Sequence, residues 1–243
     1  MIGLWVRVPP SAQFIICIMK KITIEINKIR NLMGLHEDLS NKTIKINNDE
    51  YNLYSDFYGN SPKSLMWMTK GSQNANFKLI SKHIKNEDTL LDYGCGNGDL
   101  ITYLKKHNIK VSKYFGVDIN ENFIDMSKNN HPDYNFELID SINDVKGKYD
   151  IVCAIGVFTW FISKKEFIEI INKLYSISDK QLLLTLLKGE TPYSNENYTS
   201  KNEDKYWNKE YRFYDENLFN ELFPNLNISY EYDNLTMLVN IKK

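Results

Sequence analysis

In SQNANFKLISKHIKN, residues 72–86, apolar side chains fall at Phe77, Ile80 and Ile84 among polar neighbours. Steps of three and four predict an amphipathic helix. DTLLDYG (88–94) is a short apolar run cut off at glycine, the mark of a buried strand, and GDLITYLKKHN (98–108) returns to helical spacing with Leu100, Ile101 and Leu104 on one face. The alternation repeats. KYFGVDIN (113–120) reads as a strand, ENFIDMSKNN (121–130) as a helix capped by Asn120, and NFELID (135–140) and YDIVCAIGVF (149–158) as further strands. Ser163 and Glu166 form a capping box ahead of KKEFIEIINKLYSIS (164–178), whose Phe167, Ile171 and Leu174 make a stripe. QLLLTLL (181–187) reads as a strand apolar on both faces. Alternating strands and helices predict an α/β, doubly wound, mostly parallel sheet with helices on both sides. The end breaks the pattern: after the helix DENLFNELF (215–223), NISYEYD and TMLVNIKK are separated by only a few residues. So short a connection joins antiparallel neighbours, which predicts a reversed last strand.

Between the first strand and its helix stand Gly94, Gly96 and Gly98. Glycines there let the backbone turn, approach a ligand closely and open a helix whose amides point at it. The nicotinamide fingerprint G-x-G-x-x-G needs its third glycine at 99, where this chain has Asp99. Asp118 ends the second strand 20 residues past Gly98, where an acid can accept ribose hydroxyls. The turn therefore suits a nucleoside-containing cofactor.

The 243 residues carry 30 basic and 31 acidic side chains for a net charge of −1, so no broad basic field favours a polyanion and no nucleic-acid partner is expected. Three cysteines, Cys17, Cys95 and Cys153, form no CxxC pair and no metal-ligand cluster; no metal and a cytoplasmic location are expected. Residues 1–18, MIGLWVRVPPSAQFIICI, lack Lys, Asn, Asp and Glu, unlike the Lys- and Asn-rich remainder. The apolar run 14–19 is far short of the ~20 residues that span a bilayer, so no membrane partner is expected. VRVPPSA resembles the translated end of a transfer-RNA gene, and we expect residues 1–18 to be a non-native or disordered extension with the natural start at Met19. Residues 19–60 are expected to form an N-terminal lid or cap segment, and 61–243 the main domain, with 188–214 a substrate-side insertion.

LLDYGCGNGDL, YFGVDINENFIDMSK and KYDIVCAIGVF together resemble the class I S-adenosylmethionine-dependent methyltransferases, over about Ser61 to the end. The resemblance implies a Rossmann-like, seven-stranded sheet with an antiparallel last strand, matching the tail, and S-adenosyl-L-methionine as cofactor. It implies that Asp92 helps hold the methionine amino group while Gly94, Cys95 and Gly96 pass beneath methionine and ribose. Asp118 would grip the ribose with Ile119 against the adenine; Asp140 would receive the adenine amino group, with Ser141 beside it. Ile155 and Gly156 would line the methionine side. SPKSLMWMTKGSQNANF resembles a stretch in bacterial and archaeal methyltransferases of unassigned substrate, making Trp67, Lys70 and Gln73 further candidates at the methionine end.

No general base stands out: His36, His83, His107 and His131 lie in polar or helical surroundings, and His131 before Pro132 reads as a solvated loop residue. Cys153 reads as a buried small residue. The Asn/Asp-Pro-Pro-Tyr pattern of base amino methylation is absent after the fourth strand, where GVFT stands. With the neutral charge, this favours a small-molecule or saccharide acceptor, methylated on oxygen or nitrogen. The loops after the fourth and fifth strands should face it. Trp160, Tyr206 and Trp207, with Tyr193 and Tyr198, are candidates for an aromatic wall, and Tyr58 lies in the lid YSDFYGN. Two alternatives remain at this stage: a noncatalytic S-adenosylmethionine or nucleotide binder, and an NAD-dependent oxidoreductase that the glycine spacing and reversed strand disfavour. Oligomeric state is not legible.

Overall fold

The computed structural model describes residues 39–159, 164–189, 214–233 and 235–243, with side chains from this set except those of 39–47 and 50. Residues 1–18, Trp160, Ser163, Tyr193, Tyr198, Tyr206 and Trp207 lie outside the described residues. From Thr43 onward the chain is one compact unit.

Its elements are α1 (Leu39–Tyr58), α2 (Lys70–Ser81), β1 (Thr89–Tyr93), α3 (Asp99–Lys106), β2 (Lys113–Asp118), α4 (Glu121–Asn130), β3 (Asn135–Leu138), β4 (Tyr149–Ile155), α5 (Lys164–Ile177), β5 (Ser178–Leu187), α6 (Glu216–Leu222), β6 (Asn227–Asp233) and β7 (Thr236–Lys242). Seven strands form one sheet in the order β3-β2-β1-β4-β5-β7-β6. The first five run parallel, and β7 lies antiparallel to both β5 and β6. The reversal follows from the short link: β6 and β7 pair Asp233 with Thr236, a hairpin register that no crossover could give.

Strand side chains alternate between two cores. Leu91, Val152, Leu182, Leu184 and Leu186 face a layer where α5 contributes Phe167, Ile171 and Leu174, and α6 contributes Leu218 and Phe219. On the opposite face Leu90, Ile151, Cys153 and Leu183 meet Phe77 and Ile80 of α2, Leu100, Ile101 and Leu104 of α3, and Ile124 of α4. The helix stripes expected from spacing are the faces that pack. Side-chain caps fix the starts: Asn120 accepts from the Phe123 amide at 3.2 Å, and Asp215 from the Leu218 amide at 2.9 Å. Thr69 and Ser72 form a capping box that starts α2 at Lys70, and the helix ends at Ser81 rather than near residue 86.

One long element is invisible to apolar spacing. Residues 39–58 are a 20-residue helix within the stretch taken from sequence as a polar cap segment. Its face toward α4 sets the Tyr51 ring edge-on to Phe123 at 5.7 Å between centroids and adds amides: Asn120 Nδ2 donates to Asn48 Oδ1 at 2.5 Å and to Asn52 Oδ1 at 2.8 Å. Asn122 Nδ2 donates to Ser55 Oγ at 3.0 Å. Asn48, Asn52 and Ser55 keep the helical steps of four and three, so the periodic signal is polar.

Candidate active site

At the end of β1 the chain turns through Gly94, Gly96 and Gly98 with φ of 75°, 53° and 78°. These are left-handed conformations that side chains resist. At Gly94 the fit is also steric, since a Cβ there would lie 2.5 Å from Val157 Cγ2. The turn is tied to β2 by the amides of Gly94 and Cys95, both donating to the Val117 carbonyl at 2.8 and 3.0 Å. Ser127 Oγ of α4 donates to the Gly96 carbonyl at 2.7 Å. The glycine backbone is thus clamped between β2 and α4 before α3 begins.

Two carboxylates flank it. Asp92 is 2% exposed on the face of the sheet under α2 and α3. Its Oδ2 accepts from the Tyr114 hydroxyl at 2.6 Å and its Oδ1 lies 3.6 Å from Cys153 Sγ. Burial pushes its carboxyl up to about 6; Tyr114 and Cys153 pull the other way, and Asp118 adds repulsion. Asp118, half-buried at the end of β2, accepts from the Gly96 amide at 2.9 Å and the Asn120 amide at 3.0 Å. It too is pushed up to about 6 by burial, opposed by those backbone donors. Asp92 has no cationic partner in any hydrogen bond or ion pair among the described residues. Two carboxylates poor in positive charge beside a glycine turn suit a ligand that brings cationic groups and hydroxyls.

A small cleft opens here, at the carboxyl ends of β1 and β4, where the strand order reverses direction. Of the residues singled out from sequence, Trp67, Gln73, Asp92, Gly94, Cys95 and Ile155 line it. The Trp67 ring lies over Gly156, where an added Cβ would come within 3.2 Å of it. Lys70 does not line the cleft; its Nζ reaches Gln73 Oε1 at 2.8 Å and Asp99 Oδ1 at 3.1 Å. Gly96 and Asp118 meet each other at the adjoining edge, and the Ile119 carbonyl accepts from Asn48 Nδ2 at 3.3 Å. Asp140 lies two residues beyond β3, exposed, and Ser141 caps a short 3-10 turn, Ile142–Asp144, in which Asp144 accepts from the amides of both. Tyr58 does not line the cleft; its ring packs against Tyr54 and Phe57, with Lys63 Nζ 5.6 Å from its centroid.

The cleft also uses Leu65, Phe77, Asp99 and Leu100, which sequence reasoning did not assign to it. Asp99 is the most informative. Gln73 Nε2 donates to its Oδ2 at 2.8 Å while Lys70 holds its Oδ1, so the start of α2 is bolted to the start of α3 across the mouth. The available signal was an acid at the first position of a helix, which favours the helix dipole. His131 departs from expectation. It is 8% exposed, set against Gly98, with Nε2 3.0 Å from Thr102 Oγ1, because the α4 C-terminus packs under the glycine turn. Burial lowers its basicity. Among the described residues no group of three or more His, Cys, Asp or Glu side chains is placed to hold a metal ion, and no helix is long and apolar enough to cross a membrane.

A family model described as "Methyltransferase domain" matches residues 91–177, from β1 through α5. Protein 235L of Invertebrate iridescent virus 6, which carries a methyltransferase name, is 28% identical over 130 residues, 50% of this chain and 49% of that protein. The ribosomal protein L11 methyltransferase of Dictyoglomus turgidum is 33% identical over 100 residues, 40% of this chain and 30% of that one. The chain thus spans half or less of the length of these relatives. Among solved structures, magnesium protoporphyrin IX methyltransferase from Synechocystis PCC 6803 with bound S-adenosylmethionine superposes with a TM-score of 0.58 at 14% identity, covering 86% of this chain and 99% of that one. An S-adenosylmethionine-dependent methyltransferase from Clostridium acetobutylicum gives 0.55 at 13% identity, covering 79% and 98%. The chain thus shares the fold of these solved structures, with the same reversed seventh strand, and its residues 91–177, which include the glycine turn, are similar to a methyltransferase domain.

Proposed function

We propose that the cleft binds S-adenosyl-L-methionine and that the protein transfers its methyl group by in-line displacement to an oxygen or nitrogen of a small-molecule or sugar-like acceptor. The observation that carries this is the glycine turn bracketed by Asp92 and Asp118, with Asp92 buried and lacking a counter-ion among the described residues. When bound, the sulfonium supplies an already activated methyl group, so the protein need contribute little covalent chemistry.

Asp92 takes the amino group of the methionine end, and the backbone of Gly94, Cys95 and Gly96 permits close approach. Asp118, fixed by two amides, receives the ribose hydroxyls. Ile119, Asp140 and Ser141 serve the adenine edge, and Ile155, Trp67 and Gln73 wall the methionine side, with Lys70 fixing Gln73. Residues 61–243 then form the catalytic domain, with 19–60 as its cap and 188–214 turned toward the acceptor. Holding the acceptor in line is worth up to ~7–11 kcal/mol of barrier, which lets a site of this kind work by positioning. The near-neutral charge supports an acceptor that is not a nucleic acid, and the free buried Cys95 and Cys153 suit a reducing, cytoplasmic setting. The aromatic residues Trp160, Tyr206 and Trp207, with Tyr58, are the acceptor-side candidates.

Calorimetry with S-adenosylmethionine, S-adenosylhomocysteine and NAD tests the donor. Binding of the two sulfur compounds and not NAD is expected; binding of neither sulfur compound defeats the proposal. Transfer of a labelled methyl group to extracts of small molecules, saccharides, protein and RNA then tests the acceptor class, and labelling confined to protein or RNA would overturn that part.

A further inference from the structure

We propose that Tyr114 is a positioning residue for donor recognition: its phenol holds Asp92 ionised and fixed in place at the cleft, ready for the cationic amino-acid end of the donor. This rests on the donor reading above and adds a residue outside the binding surface. β1 and β2 pair Asp92 with Gly116, and Tyr114, two residues earlier, projects on the same side of the sheet. A Cβ on Gly116 would lie 2.6 Å from Phe136 and 2.9 Å from Cys95 Sγ, so the space beside Asp92 is already filled. Into this packing the Tyr114 hydroxyl reaches 2.6 Å from Asp92 Oδ2. The phenol is 1% exposed, and its ring is held edge-on by Tyr134 and Phe136, each 5.8 Å away between centroids.

The other groups around Asp92 offer little to a negative charge. From β4 comes Cys153, a weak donor at 3.6 Å whose thiol burial keeps protonated. From the glycine turn comes Cys95, likewise neutral. From β2 comes Asp118, which repels, and from α3 Asp99 shares the cleft lining but is taken up by Lys70 and Gln73. Tyr114 is therefore the one strong donor that the described residues give this carboxylate. A hydrogen bond from a hydroxyl to a carboxylate is about twice as strong as its neutral counterpart, so it favours the ionised form that an ammonium group needs.

The test is calorimetric titration of the full chain with S-adenosylhomocysteine, which keeps the ammonium group, from pH 5 to 8.5. Wild type should lose affinity as pH falls and Asp92 takes up a proton. In Tyr114→Phe the same loss should sit at a pH higher by about one, with affinity at pH 8.5 within about twofold of wild type. Asp92→Asn should bind weakly with a flattened profile. A Tyr114→Phe profile that superimposes on wild type, or drops by one factor at every pH, overturns the positioning role. Should Tyr114→Phe fail to fold, a fluorotyrosine placed only at 114, a stronger donor, should move the profile to lower pH; no movement overturns the inference. If wild type binds neither S-adenosylhomocysteine nor S-adenosylmethionine, it is the donor reading that fails.

Discussion

Replacing Asp92 by Asn should make the donor-free protein more stable at alkaline pH while weakening donor binding. The reasoning starts from the carboxyl's ordinary value of 3.8 and its value of about 6 in the fold, where it is buried. A carboxyl whose folded value is raised favours the protonated folded state. Its stabilising contribution is complete below about pH 4 and is lost as pH rises through about 6. A tenfold change in a protonation equilibrium is worth about 1.4 kcal/mol, so ionising Asp92 costs the free fold about 3 kcal/mol at pH 8. An amide is the same shape, carries no charge and can still accept from Tyr114. The stability difference between Asp92→Asn and wild type should therefore be near zero at pH 4 and rise to about 3 kcal/mol in favour of the variant at pH 8. Urea unfolding of both proteins without donor, at intervals across that range, measures it. Comparing the two at each pH cancels the titrating groups that do not interact with Asp92; Asp118, which repels it, is relieved in the variant and adds to the same trend. A difference that does not change with pH, or that grows in favour of wild type, would refute the assignment of a buried, counter-ion-poor carboxylate. The same substitution should cut S-adenosylmethionine affinity at pH 8 by tenfold or more, the cost of leaving an ammonium without its charged partner.

Further outcomes follow from other contacts. Gly94→Ala should cost about 2–4 kcal/mol by thermal or urea unfolding, because φ is 75° and the methyl would meet Val157 Cγ2 at 2.5 Å. Asn120→Ala removes the cap of α4 and both amide bonds to α1, for a loss of about 1–2 kcal/mol. Hydrogen exchange should rise in residues 48–58 more than in the sheet, and unchanged exchange there would mean that α1 is held by something else. Lys70→Ala should cost under ~1 kcal/mol of stability, since the pair with Asp99 is half open to water.

The elements that sequence placed well are those whose apolar spacing and packing agree. Phe167, Ile171 and Leu174 read as a stripe and are the residues buried under the sheet. LLD before Gly94 reads as a strand end, and the short step from NISYEYD to TMLVNIKK forces the antiparallel hairpin. Asp118 and the glycines were singled out because a glycine turn and an acid at a fixed distance are written along the chain, and Asp92 because of the family resemblance. Asp99 was legible as a missing glycine and as an acid opening a helix but not as a bolt, because its partners Lys70 and Gln73 lie 29 and 26 residues away. His131 was misread as solvated because what buries it is the approach of α4 to the glycine turn.

What the sequence by itself determined is the order and type of the core elements, the reversed edge and the glycine turn between β1 and α3. All of these depend on neighbours a few residues apart, where spacing, glycine φ and caps act directly. The tertiary structure alone decided that a largely polar helix docks by amides and the Tyr51 ring, that Asp99 bolts α2 to α3 and that Tyr114 is the donor beneath Asp92. Hydrogen bonds of this kind leave no apolar trace in the sequence, because two polar side chains look the same there whether they meet water or each other.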